Sequence, residues 1–530
     1  MNRPSAILTK FTSFTIDFCR RRWIHILLLT VTAYIFRNAI NPDGIAYIQV
    51  AKHWIAGEPS LAITGYWGPL FSWLLMPLFI LEIPDLIACR ILMIFSSLVF
   101  LESAKDLVKI TTISSAGSKA IDNCLALACL LWSVENITPD LLLAAIFLKI
   151  IKIICDSKWI FSPKSSLNLG FTLSLAYLCK SVALPVSIIF LLIVLLSWKW
   201  MYPDRKLVGQ RCLITFLLPW TLICGSWIAV LSMHYGKLTF STSARIVHAT
   251  VGPGDIQRYP IGFDIGEPES GRITQWEDPK LEESQYWNPF KSLSNFQHQC
   301  RLIVANLAPA LIIHTSLFLF SIPVIFYVIP SILSTRRNSW TSPKIWRGVV
   351  LCTFVSILTG IYMMTLLPAS EQRYFYALPP ILAVLCFELL KLRCFETKKH
   401  LLTLIICISI ILPSIGRWIL LPPVKISAFE QAMIASHHIR LAPELTPGPI
   451  VGNARLRRGR SGLFLAYFLN QKWYGGNPES PLESLIRSKA DYVVLANNDF
   501  RLPRAMKNPL LEDVSSADAP LIKIFKIKLN

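Results

Sequence analysis

The chain has 530 residues, of which 53% are hydrophobic and only 16% are charged. Soluble domains carry about 25% charged residues, so this composition excludes an ordinary soluble enzyme. The formal net charge of +20 does not indicate a nucleic-acid partner, because many of the basic residues lie in short loops between long apolar blocks. That distribution is typical of membrane proteins, and we expect the lipid bilayer to be the partner of most of the chain.

Apolar blocks that could cross a bilayer recur along most of the chain. A hydrocarbon core about 30 Å thick needs about 20 apolar residues in one helix, and a helix satisfies its own backbone hydrogen bonds there. Candidate spans lie at roughly 23–40, 87–108, 121–135, 140–156, 168–182, 183–200, 211–232, 305–332, 346–367, 375–392 and 400–420. The sequence therefore predicts an α-helical polytopic membrane protein with about eleven transmembrane helices.

The basic residues also predict an orientation. Arg20, Arg21 and Arg22 precede the first span and place the N-terminus in the cytoplasm. The basic loops that follow the even-numbered spans fall on the same side, and an odd number of spans leaves the C-terminus outside. The apolar segment 66–81 is short and contains prolines. We predict a juxtamembrane or re-entrant helix there, because a full span would move the later basic loops outside.

Three long polar regions are expected on the outer side, at about 41–86, at about 233–301 and at 421–530. The last of them is predicted to be a small extracytoplasmic α/β domain that follows a transmembrane domain at 1–420. Its predicted strands are 449–454, 490–496 and 521–529, and its predicted helices are 461–469 and 481–488.

The thirteen cysteines lie mainly inside apolar blocks, where a thiol acts as a small hydrophobic group. Neither a CxxC motif nor a cluster of Cys and His is present, so we expect no disulfide framework and no zinc site. No clear cluster of carboxylates is visible either, and no obligatory metal or other cofactor is predicted.

The stretch 41–75 carries the most informative residues. Asp43 follows the first span, where it is predicted to cap the start of a helix, with Tyr47 one turn further on. Apolar residues such as Ala46 and Val50 would give that helix a stripe for the membrane surface. From the residues alone, the simplest interpretation is a capping Asp and a packing Tyr.

Three further positions at outer helix ends could carry chemistry. Asp140 opens the fourth span, where it is either a helix cap or a functional carboxylate. Lys180 lies in an apolar block, where a charge is costly and suggests function, unless the side chain reaches water. Arg373 and Tyr374 precede a pair of prolines, and Arg can hold a phosphate through two hydrogen bonds. Both residues also suit a headgroup anchor.

An Asp just after the first span, a Tyr four residues later and the Pro-Leu-x-x-Trp-Leu segment that begins at Pro69 resemble the GT-C class of membrane glycosyltransferases. The layout is similar to the branch that contains the protein O-mannosyltransferases and the aminoarabinose transferase of lipid A. Many members have an acidic residue directly after this Asp, whereas this chain has Gly44.

The resemblance implies a transferase that moves a sugar from a polyprenyl-phosphate donor to an extracytoplasmic hydroxyl. Asp43 would be the catalytic base, and Asp140 would orient the acceptor or the sugar. Donor binding would fall to four residues: Tyr47, Lys180, Arg373 and Tyr374. The related oligosaccharyltransferases use a divalent ion, so metal dependence is left open. A bacterial plasma membrane is the expected location.

Two alternatives follow from the residues. A transporter or flippase for a lipid-linked or small solute would explain the spans and the lysine among them. It would leave the long outer regions unexplained, and the two halves of the chain show no repeat. A non-catalytic scaffold for envelope assembly is the second alternative.

Overall fold

The computed structural model describes residues 6–156, 159, 161–201, 210–253, 265–280, 286–326, 342–365, 367–389, 399–420, 427–452, 455–456, 459–476 and 480–528. Most of these residues are helical. The α-helices before residue 250 are α1 Ala6–Ile35, α2 Pro42–Ala56, α3 Pro59–Ala62, α4 Pro69–Ile80, α5 Asp85–Val108, α6 Ser115–Glu135, α7 Asp140–Cys155, α8 Pro163–Cys179, α9 Ala183–Met201, α10 Gln210–Tyr235 and α11 Ser243–Ala249.

The remaining helices are α12 Leu293–Ala305, α13 Leu307–Leu317, α14 Pro343–Met363, α15 Leu378–Leu389, α16 Lys399–Leu420, α17 Ala428–Leu441, α18 Ser461–Leu469, α19 Leu482–Ile486 and α20 Leu502–Ala505. The strands are β1 Ile450–Val451, β2 Arg455–Leu456, β3 Gly459–Arg460, β4 Tyr492–Ala496, β5 Leu511–Asp513 and β6 Ile522–Ile527.

Several helices are long and apolar enough to cross a membrane, so the chain is an integral membrane protein. Among the described residues, six segments meet this description by length and composition: Asp85–Val108, Ala183–Met201, Arg211–Tyr235, Leu293–Leu317, Pro343–Met363 and Lys399–Leu420. Helices also occupy the other predicted spans, as α1, α6, α7, α8 and α15. The count of eleven spans stays a prediction, and the spans predicted at 305–332 and 375–392 run beyond the described residues.

The membrane-spanning part has its apolar core between α5, α6, α7, α9, α14 and α15. Large side chains such as Trp198, Trp346 and Phe354 are fully buried there. Apolar side chains on the other faces of α9, α10 and α16 are exposed, for example Leu196 and Leu222. Such apolar side chains suit contact with lipid tails, which neither donate nor accept hydrogen bonds.

Helix α2 is not the surface helix that its apolar stripe predicts. Its residues from Gly44 to Ala51 are buried, and Tyr47 is only 2% exposed. The reason is that α4 packs on one side of α2, and a loop around residue 276 and α18 contact it elsewhere. A protein layer therefore covers the apolar positions that we assigned to the membrane surface.

The segment 66–81 forms α4, a 12-residue helix with Pro77 inside it. Near the C-terminus, four strands form a sheet in the order β1-β4-β6-β5, in which only the β1–β4 pair is parallel. These strands include the three that the sequence predicts, whereas β5 and the β2–β3 hairpin were not predicted. The domain limits and the outer location of this region stay predictions.

Candidate active site at the ends of the helices

A cluster of five ionisable side chains joins distant parts of the chain at the N-termini of α2 and α7 and the C-terminus of α8. Its members are Asp43 in the first turn of α2, Asp140 at the start of α7, Lys180 directly after α8, and Glu371 and Arg373 in the turn before α15. Four of the six predicted site residues thus contact one another in this cluster, while Glu371 was not predicted.

Asp43 does not cap its helix, so that prediction is wrong. Asn41 is the N-cap residue of α2 and Pro42 begins the helix, so Asp43 lies two residues beyond the cap position. Its carboxylate instead accepts two hydrogen bonds from remote side chains. Nη1 of Arg373 donates to Oδ2 at 2.6 Å, and Nε1 of Trp276 donates to Oδ1 at 3.1 Å.

The second carboxylate of the cluster is almost completely buried. Asp140 is 3% exposed, and Nζ of Lys180 donates to its Oδ1 at 2.5 Å. Its Oδ2 lies 3.8 Å from Nε of Arg373 and has no hydrogen-bond partner among the described residues. A buried carboxylate oxygen in this state can accept a hydrogen bond from a bound hydroxyl group.

Arg373 is the centre of the cluster. Besides its contacts with the two aspartates, its Nε donates to Oε2 of Glu371 at 2.7 Å. Burial alone would lower the pKa of Arg373, but the surrounding carboxylates, Asp43 first, raise it well above its usual value. The guanidinium therefore stays charged throughout the accessible pH range.

The two predicted tyrosines take different places. The ring of Tyr374 lies 4.2 Å below Nζ of Lys180 and stacks on Tyr362 at 4.5 Å, an arrangement that stabilises a cation. Tyr47 is buried between Trp67 and Phe71, each with its ring centre 5.1 Å away. Burial and then the charges of Asp140 and Asp43 raise the pKa of Tyr47 well above its usual value.

Short backbone contacts hold the helix ends together. Oδ1 of Asn41 accepts from the backbone N–H of Ile137 at 2.8 Å, which ties the start of α2 to the turn before α7. Cys179 places its Sγ 3.6 Å from the carbonyl of Pro139 in the same turn. Gly68 lies directly against the end of α8, where a Cβ atom would come within 2.4 Å of the Cys179 carbonyl oxygen.

Gly44 differs from the acidic residue of many GT-C proteins for a steric reason. A Cβ atom there would lie 3.0 Å from both Oδ1 of Asn41 and Cβ of Ile137, closer than ordinary van der Waals contact. A side chain at this position would thus press on the contact between Asn41 and Ile137 that ties α2 to the turn before α7.

The loop around Trp276 is the part of the site that the sequence analysis missed. Residues 275–277 form a short 3-10 turn with a capping box, in which Thr274 and Glu277 exchange hydrogen bonds with each other's backbone. The sequence Thr-Gln-Trp-Glu is the signal that could have revealed it. Its contact with Asp43, 233 residues away, has no local signal.

The cluster can support proton transfer beside an anion. Three carboxylates form ion pairs with two cations. A proton acceptor and positively charged hydrogen-bond donors therefore lie next to each other. Among the residues the structure describes, no group of three or more His, Cys, Asp or Glu side chains is arranged to hold a metal ion. Metal dependence stays a question for experiment.

Comparison with solved structures identifies the fold. The structure aligns with that of ArnT from Cupriavidus metallidurans bound to undecaprenyl phosphate over 97% of this chain and 98% of that chain, with a TM-score of 0.55 and 11% identity. The predicted GT-C fold is therefore confirmed. The oligosaccharyltransferase of Archaeoglobus fulgidus aligns at a TM-score of 0.48 and 10% identity, over 90% of this chain and 70% of that one.

Comparison of sequences is less informative. No protein family model matches the chain. A stretch of 74 residues is 43% identical to porphobilinogen deaminase of Macrococcus caseolyticus (strain JCSC5402), which amounts to 14% of this chain and 24% of that enzyme. The chain thus spans about a quarter of the length of this relative, and the match assigns no activity to the whole protein.

Proposed function

We propose that this chain is a glycosyltransferase that moves a sugar from a polyprenyl-phosphate donor to a hydroxyl group on the extracytoplasmic side of a bacterial plasma membrane. The observation that carries the proposal is the contact of Asp43 with Arg373, beside the pair formed by Asp140 and Lys180. The solved ArnT structure with this fold holds undecaprenyl phosphate, a lipid of the class we propose for the donor.

The chemistry assigns a part to each group. The acceptor oxygen attacks the anomeric carbon while its proton passes to the carboxylate of Asp43. The bond from that carbon to the phosphate oxygen breaks, and the electron pair leaves with the polyprenyl phosphate. Its additional negative charge is stabilised by Arg373 and Lys180, and Asp140 accepts a hydrogen bond from a hydroxyl of the sugar or the acceptor.

The aromatic residues complete the proposed donor site. Tyr374 supports the ammonium group of Lys180 through its ring, and Tyr47 packs behind Asp43 as a neutral phenol. Residues 1–420 would form the catalytic membrane domain, and residues 421–530 would form an extracytoplasmic domain that contacts the acceptor. Because Arg373 and Lys180 supply the positive charge, we expect activity to persist in the presence of a metal chelator.

The test is release of polyprenyl phosphate from a panel of polyprenyl-phosphate sugars by the purified protein, with crude envelope acceptors. Asp43→Asn is expected to abolish release. Asp85→Asn is the matched control, since it removes an outer carboxylate that pairs with Lys52 outside the cluster. Equal release by the Asp43→Asn variant would overturn the base assignment in favour of Asp140. Movement of an uncleaved lipid across vesicles would favour the transporter.

A further inference from the structure

The position of Trp276 depends on a loop that is held from several directions. Oε1 of Glu277 accepts from the backbone N–H groups of Ile273 at 2.8 Å and Thr274 at 3.0 Å, and Glu277 is fully buried. The hydroxyl oxygen of Thr274 accepts from the N–H of Trp276 at 3.2 Å. The backbone on the N-terminal side of the Trp276 ring is therefore fixed.

Neighbouring elements hold the other side of Trp276. Nε1 of Trp67 donates to the Trp276 carbonyl at 3.0 Å, and the rings of Tyr66 and Trp67 lie 5.3 and 5.7 Å from the Trp276 ring. Asp278 accepts from the hydroxyl groups of Thr64 at 3.0 Å and Tyr235 at 2.9 Å. The indole group thus has a fixed direction before any ligand binds.

That direction leads to the carboxylate proposed as the base. Nε1 of Trp276 donates to Oδ1 of Asp43 at 3.1 Å, while Oδ2 of Asp43 accepts from Arg373. The two donors differ in chemistry. An indole N–H is a donor only and cannot take up a proton, whereas the guanidinium would also be needed by the phosphate of a donor lipid.

We propose that Trp276 is a positioning residue, which holds the carboxylate of Asp43 in place when Arg373 turns towards the departing phosphate. This inference rests on the proposed function. Trp276 does not touch the reacting atoms, and it neither accepts nor supplies the proton. It keeps Oδ1 occupied and leaves Oδ2 to meet the hydroxyl of the acceptor.

Trp276→Phe removes the N–H and retains a ring in the aromatic cluster. Turnover should fall about tenfold, as for loss of a hydrogen bond to a charged group, with little change in the KM for the donor. Trp287→Phe is the matched control, because Nε1 of Trp287 donates to a backbone carbonyl, that of His248, at 2.8 Å.

A measurement that needs no activity separates this inference from the proposed function. In protein with ¹⁵N-labelled tryptophan, the indole signal that disappears in Trp276→Phe should shift in Asp43→Asn and keep its position in Asp85→Asn. An indole signal whose chemical shift is unchanged in Asp43→Asn would contradict the contact between Trp276 and Asp43. Unchanged turnover in folded Trp276→Phe protein would overturn the positioning role. Wild type that cleaves no donor would overturn the proposed function, while the indole shift in Asp43→Asn would still decide whether Trp276 contacts Asp43.

Discussion

Nη1 of Arg373 donates to Oδ2 of Asp43 at 2.6 Å, although 330 residues separate the two in the chain. The proposed base and the proposed phosphate ligand therefore contact each other directly. An incoming phosphate would compete with Asp43 for the same guanidinium group. Donor binding would then free the carboxylate of Asp43 from Arg373, so that it could accept the proton of the acceptor hydroxyl.

This relationship predicts that Arg373→Lys is not a conservative change. Lysine carries a point charge and cannot form the several directed hydrogen bonds of a guanidinium group, whereas Arg373 contacts both Asp43 and Glu371. We expect release of polyprenyl phosphate to fall about 10- to 100-fold, equivalent to about 1.4–2.8 kcal/mol. Steady-state kinetics measure it. The control is Arg37→Lys, an exposed Arg that donates to a backbone carbonyl, and equal losses in both variants would contradict the assignment.

The pair formed by buried Asp140 and partly exposed Lys180 predicts coupled effects on stability. Lys180→Met removes the cation that is hydrogen-bonded to the buried carboxylate of Asp140 and leaves only Arg373, 3.8 Å away, to offset its charge, so the free energy of unfolding should fall. Adding Asp140→Asn removes that charge and should restore much of the loss. Unfolding in detergent measures both variants. The double variant should fold yet transfer no sugar, and a double variant as unstable as Lys180→Met alone would contradict the coupling.

Much of the charged cluster could be predicted because its members share one sequence feature. Asp43, Asp140, Lys180 and Arg373 each lie where an apolar block ends on the predicted outer side. Helices that cross the same bilayer bring such ends to one level, and the resemblance to GT-C proteins selected these residues among the polar ones. The structure shows which of these residues contact one another, and helix periodicity alone does not predict those contacts.

The sequence analysis missed the burial of α2 and the contact of Trp276 with Asp43, and both depend on contacts between distant parts of the chain. The apolar stripe of α2 is the same whether lipid or protein lies against it, so its burial by α4 and α18 could not be read from the stripe. Trp276 belongs to a long polar loop whose partners lie far away in the chain. Its capping box is a local signal, but that signal predicts a turn and no contact with Asp43.

The packing at Gly44 predicts that this position does not accept the acidic residue found in many GT-C proteins. Gly44→Ala brings a Cβ atom within 3.0 Å of Asn41 and Ile137, and overpacking of this kind costs about 1–3 kcal/mol. Gly44→Asp should cost more. Gly225→Ala is the control, because its Cβ position has no atom of another described residue within 4 Å apart from its chain neighbours and its own helix backbone. Thermal unfolding measures both, and equal stability of the Gly44 and Gly225 variants would contradict the steric argument.

The environment of His53 predicts a pH dependence of stability. Nδ1 of His53 lies 2.8 Å from Oε2 of Glu58, and its Nε2 lies 3.6 Å from Oε2 of Glu277. Burial lowers the pKa of His53, but the hydrogen bonds and charges of Glu277 and Glu58 outweigh it and raise the pKa above the usual value. The protonated ring thus links α2 to the loop that carries Trp276.

A pKa raised by folding fixes the sign of the effect. The contribution of His53 to stability is fully present below its unfolded pKa of about 6.5 and is lost as the pH rises through the higher folded value. The melting temperature of wild type should therefore exceed that of His53→Gln at pH 5.5, and the difference should shrink at alkaline pH. His437→Gln, a change at an exposed His on α17, is the matched control. A difference in melting temperature between wild type and His53→Gln that grows with pH would show that the ring is held in its neutral form. The contacts with Glu58 and Glu277 would then not act as a charged link between α2 and the loop that carries Trp276.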